Sequence, residues 1–337
     1  MIDRGDGRRT LAGVGFFALA IPAGVLLTLG AVGAFREAGS IAAGLGLSAA
    51  VIAAAVGVRF EWRAVRHAGD RWSIPAEEAL YNTGAILSGT VLTLGVVAET
   101  GISAIVAAAV VGVAAALLTP TFAIPVYCGA FVGMTAPELF EGYWRAVLAG
   151  GVASVVFAVG QPVFHGVGGK LGTTAFVGAA LTVLTTSGTF QTQAIPGATT
   201  IAAVVGLAVA GAVVTFSVHT RLSVGPVFAS GAVGAIGGVA GPLVFVDAGE
   251  LVAAGIFAAS FVGMTSAERV PNEGWIGLAG GISGIVFVSS APYLGGSGGK
   301  LGTIAFGSCL TVYGLLATFH VVRVRRYFEG RFERDIT

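Results

Sequence analysis

The sequence predicts an all-α, polytopic membrane helix bundle of about twelve spans, and three observations carry that reading. First, 55% of the residues are hydrophobic and only 10% are charged, with a mean hydropathy of +0.90. Soluble proteins carry about 25% charged residues, so this chain leaves apolar surface that only lipid solvates. Second, apolar segments follow one another through the chain, at roughly 10–35, 39–58, 78–98, 102–119, 121–135, 145–160, 171–188, 197–218, 224–246, 250–265, 275–292 and 301–322. Third, two motifs recur at one fixed offset, which divides most of these segments into two sets of five.

The N-terminal part, 1–75, reads as a transmembrane hairpin followed by a basic cytoplasmic loop. Its first apolar run follows Arg4, Arg8 and Arg9 and is too long for the core of a signal peptide, so it is read as an uncleaved helix. The stretch 59–72 carries Arg59, Arg63, Arg66 and Arg71 with Trp62 and Trp72, a composition that suits a headgroup anchor. Repeat A, 76–190, opens after Ser73-Ile-Pro75 and contains the Thr119-Pro120 break. Repeat B covers 196–323, and 324–337 reads as a basic cytoplasmic tail. Segments 121–135, 145–160 and 250–265 fall short of the ~17–25 residues that a spanning helix needs, and the matching pair 121–135 and 250–265 reads as half-helices or re-entrant segments.

The duplication rests on register. Phe131-Val-Gly-Met-Thr135 recurs as Phe261-Val-Gly-Met-Thr265, and Gly168-Gly-Lys-Leu-Gly-Thr173 recurs as Gly298-Gly-Lys-Leu-Gly-Thr303. Both pairs are 130 residues apart, and an ungapped alignment of 131–182 on 261–312 gives 22 identities in 52 positions. A five-span unit crosses the membrane an odd number of times, so its second copy must enter the opposite way round. Two inverted-topology repeats are therefore expected, with Lys170 and Lys300 on opposite faces. The distribution of basic residues orients the chain in a cell membrane with both termini cytoplasmic, 15 inside against 3 outside.

Inverted repeats are an architecture of channels and transporters, with the pathway at the repeat interface. The expected function is passage of a small solute or ion, anionic or neutral; the alternative is a non-transporting membrane scaffold. The pathway is assigned to the two motifs. Gly133, Thr135, Gly263 and Thr265 end the short segments, where carbonyls and hydroxyls come free. Gly169, Lys170, Thr173, Gly299, Lys300 and Thr303 belong to Gly-rich loops opening a helix, where N–H groups and a lysine suit an anion or a carbonyl oxygen. Glu138 and Glu268, the acids retained in both copies, are candidate gates. Lysine snorkelling and tight glycine packing are the competing account of the loops.

Other chemistry finds little support. The loops lack the spacing of a phosphate loop, and no HExxH motif is present. Gly281-Ile-Ser-Gly284 with His320 matches a protease-like pattern, but the first copy has Ala153 where Ser283 stands, so no enzyme is expected. Cys128 and Cys309 sit in apolar runs and read as buried thiols; the histidines show no metal-ligand spacing. No metal and no cofactor are expected. A net charge of +1 argues against nucleic acid, leaving the lipid bilayer and a small solute as partners, with a homo-oligomer compatible.

Overall fold

A computed structural model describes residues 4–68, 75–140 and 142–332, with side chains for all of these except 4–6, 8, 64, 66–68 and 320–332. Of the basic positions used to orient the chain, Arg71 and Arg334 lie outside the described residues. The side chains of Arg4, Arg8, Arg66, Arg323, Arg325, Arg326 and Arg331 lie outside them as well, as does that of His320.

Among the described residues there are twelve α-helices and no strand, with 79% of the chain helical. They are α1 (Arg4–Arg36), α2 (Ile41–Ala68), α3 (Ala76–Thr100), α4 (Ala104–Leu118), α5 (Ala123–Gly133), α6 (Tyr143–Gly160), α7 (Lys170–Thr185), α8 (Ala198–Arg221), α9 (Pro226–Val244), α10 (Gly249–Gly263), α11 (Glu273–Ser289) and α12 (Lys300–Phe332). Seven contain stretches long and apolar enough to cross a membrane: α1, α2, α3, α6, α8, α9 and α12. These helices fit a multi-pass membrane protein in contact with a lipid bilayer. Their outward faces carry large apolar side chains such as Phe17, Ile52, Leu92, Leu243 and Ile236.

Local chemistry sets the helix ends. Ser103 caps α4, its hydroxyl accepting from the N–H of Val106 at 3.4 Å, and Asn272 caps α11 by accepting from Trp275 at 3.2 Å. Gly101 ends α3 in the left-handed conformation at φ 67°. Pro120 forces the chain into one 3₁₀ turn before α5. Helix α5 then has 11 residues, and α10 has 15, about 16 and 22 Å of helix. Both fall short of the ~30 Å hydrocarbon core. The short segment anticipated at 145–160 is instead an 18-residue helix, because Tyr143 and Trp144 extend it toward the N-terminus.

Glycine lets helix backbones touch. A methyl group at Gly89 or Gly129 would collide with the opposite carbonyl where α3 crosses α5 (Val126 and Ile86 respectively). Gly263 sits the same way against Ala212 of α8. Helix α1 bridges both halves of the chain: Gly15 rests on the carbonyl of Val159 in α6, and Gly33 on that of Ser289 in α11. Val159 and Ser289 are 130 residues apart, the offset of the repeated motifs.

Candidate functional site

Both repeated motifs end at the same place, and they meet crosswise. Helix α5 finishes at Phe-Val-Gly-Met, and Thr135 follows it. The Thr135 hydroxyl donates to the carbonyl of Val132 at 2.7 Å and accepts from the N–H of Gly298 at 3.1 Å. Thr265, after α10, donates to Val262 at 2.7 Å and accepts from Gly168 at 3.1 Å. One residue further on, Ala136 donates to the carbonyl of Gly296 at 2.8 Å and Ser266 to that of Gly166 at 2.9 Å. Each motif of one copy therefore clasps the other motif of the second copy.

The two Gly-Lys loops follow the same backbone path. Phe164 and Leu294 adopt φ of 54° and 55°, Gly166 and Gly296 of 72° and 76°, and Gly169 and Gly299 of 79° and 82°. Positive φ costs a residue with a Cβ about 1 kcal/mol, so Phe164 and Leu294 hold it only because their surroundings fix it. The helices that follow, α7 and α12, touch at their first turns. A methyl built on either Gly172 or Gly302 would lie 2.5 Å from the other's Cα.

Lys170 and Lys300 turn back from these helix starts. Lys170 Nζ donates to the carbonyls of Gln161 (3.2 Å) and Val163 (2.6 Å), and Lys300 Nζ to those of Ser290 (2.9 Å) and Tyr293 (2.6 Å). Each ammonium thus closes the turn that links the preceding helix to its own, with one of its three protons left over. The hydroxyls of Thr173 and Thr303 are taken by the carbonyls of Gly169 and Gly299.

A cavity opens in front of each loop. One of about 330 Å³ is lined by Gly169, Lys170, Leu171 and Gly172 together with Met264. The other, of about 690 Å³, is lined by Gly299, Lys300, Leu301 and Gly302 together with Met134. Phe131 and Phe261 line both, their ring centroids 4.7 Å apart. Of the sequence-predicted pathway residues, Gly169, Lys170, Gly299 and Lys300 face these cavities. Gly133 and Gly263 instead pack on α3 and α8, and the four threonines serve the clasps and the helix starts. Glu138 and Glu268 are exposed; Glu138 accepts from Gln191 Nε2 at 3.3 Å.

Sequence reasoning missed three features. Phe131 and Phe261, first residues of their motif, line both cavities. Tyr127, Ser230 and Ser260 form a buried hydroxyl chain with links of 3.1 and 2.9 Å. Glu61 is buried near the end of α2, where Arg269 grips it through two contacts of 2.7 and 3.1 Å and Phe164 donates its N–H at 2.9 Å. Arg269 also donates to the carbonyl of His165 at 2.7 Å and lies over the Tyr313 ring. This ion pair bolts the N-terminal hairpin onto one clasp, and the position equivalent to Arg269 in repeat A is Leu139.

Cys128 and Cys309 are free and buried. No group of metal-ligating side chains occurs among the described residues. Ser283 is fully buried on α11 and its hydroxyl has no partner among the described residues. No protein-family model, curated protein or solved structure matches the chain.

Proposed function

We propose that the chain is a channel or facilitator that passes a small solute or ion across the membrane, through a pathway between two inverted five-helix repeats, α3–α7 and α8–α12. One observation carries this reading: two cavities built from equivalent residues converge on the same pair of phenylalanines. Crosswise clasps between the motifs are what a two-fold axis in the membrane plane would produce. In this reading α5 and α10 reach only part-way through the bilayer, and the Gly172–Gly302 crossing marks the midplane. Phe131 and Phe261 form the barrier between the vestibules, and Glu138 and Glu268 stand outside as gates. Among the described residues only Phe131 and Phe261 line both vestibules, and this apolar barrier favours a passive pathway over an ion-coupled one.

A flux screen in proteoliposomes tests this, with solutes of both kinds, neutral and anionic, followed by light scattering or selective electrodes. Wild-type protein should pass at least one solute faster than empty liposomes do. Phe131→Ala and Phe261→Ala should each raise that flux. A scaffold protein would give background flux in all three forms.

A further inference from the structure

We infer that the solute is a small anion and that its binding site is the cavity in front of α12. The inference rests on the transport reading above and adds the class of substrate. Lys300 is only 8% exposed, and the two acceptors it has are neutral carbonyls. No carboxylate pairs with it among the described residues; Glu250, also on the cavity wall, is exposed and makes no ion pair with it. A buried ammonium without a counterion costs several kcal/mol, and an anion in the cavity relieves that cost.

Two further donors point to the same ligand. Ser297 lines this cavity, is 7% exposed, and its hydroxyl has no hydrogen-bond partner among the described residues. Helix α12 is 33 residues long, and the N–H groups of Leu301 and Gly302 in its first turn find no backbone acceptor among the described residues. Both of those residues line the cavity too. A helix start presents about half a positive charge to what lies before it. Hydroxyl, ammonium and amide donors together suit a monovalent anion, and the same charges repel cations. The first loop repeats the lysine and the helix start but has Val167 where Ser297 stands, so the α12 side is the stronger site.

The test uses the full-length protein in proteoliposomes, with chloride and nitrate as anionic probes and urea and glycerol as neutral ones. A parallel detergent assay follows thermal unfolding in sodium nitrate against sodium gluconate at equal ionic strength. The expected result is flux of chloride or nitrate, reduced about tenfold by Lys300→Met and severalfold by Ser297→Ala, with stabilisation by nitrate over gluconate that both variants diminish. If urea or glycerol passes and neither anion does, the anion assignment is overturned while transport stands. If no probe passes, the transport reading falls. The anion site then falls with it unless nitrate still stabilises wild type more than Ser297→Ala. Should Lys300→Met fail to fold, Ser297→Ala alone decides: equal nitrate response in it and wild type refutes the site.

Discussion

Replacing Thr135 by valine removes one hydroxyl and almost no volume, so it isolates the clasp between α5 and the loop before α12. The hydroxyl accepts from the N–H of Gly298, and Thr135 is 2% exposed. Valine leaves that N–H buried without an acceptor, at about 1–3 kcal/mol. The donated bond to Val132 matters less, because that carbonyl still accepts from the Thr135 backbone N–H at 3.0 Å. Thr135→Val should therefore destabilise the protein by about 2 kcal/mol, and Thr265→Val by a similar amount, since Gly168 depends on it in the same way. Thr135→Ser keeps the acceptor and should recover most of the loss. The assay is reversible unfolding in mixed micelles, followed by tryptophan fluorescence. A Thr135→Val protein as stable as wild type, or one no less stable than Thr135→Ser, would refute the clasp as a stabilising element.

The remaining predictions concern packing and charge. Arg269→Met strands the buried Glu61 carboxylate and should cost about 3 kcal/mol, the low end for breaking a buried pair because Arg269 is partly exposed. Adding Glu61→Gln should restore much of it, and micelle unfolding of the single and double variants checks this. Gly302→Val puts a branched side chain against Gly172 and should lower the unfolding midpoint by more than Gly281→Val, whose nearest neighbour is an ordinary contact at 3.4 Å.

Much of the fold could be read from the sequence because lipid imposes a strong pattern. Each of the twelve apolar segments falls on one of the twelve helices, though α1 starts six residues earlier and α2 and α12 run ten residues further, and Pro75, Pro120 and Gly101 lie at boundaries that their backbone chemistry dictates. The repeat drew attention to the two Gly-Lys loops, whose backbones follow the same path 130 residues apart. What the sequence did not convey was which partner each polar atom takes. Thr135 looks like a free helix-end hydroxyl until Gly298, 163 residues away, is seen against it. Lys300 looks like a free ammonium until the carbonyls of Ser290 and Tyr293 are seen to take two of its three protons. Glu61 sits among arginines in the sequence, and that charge density hid its burial. A sharper signal was the one place where the repeat breaks with a charge, Arg269 against Leu139. A new charge in one copy needs a partner outside the repeat, and the hairpin supplies it.

Opposite orientation of the two copies underlies the whole account, and equivalent exposed residues test it most directly. Glu138 and Glu268 occupy matching positions, and each becomes a single cysteine in a Cys128→Ala/Cys309→Ala background. A membrane-impermeant maleimide is then applied to intact cells and to inverted vesicles. Inverted repeats predict that Glu138→Cys labels from outside and Glu268→Cys only from the cytoplasmic side. Labelling of both from the same side would contradict the inversion, and with it the pathway between the repeats.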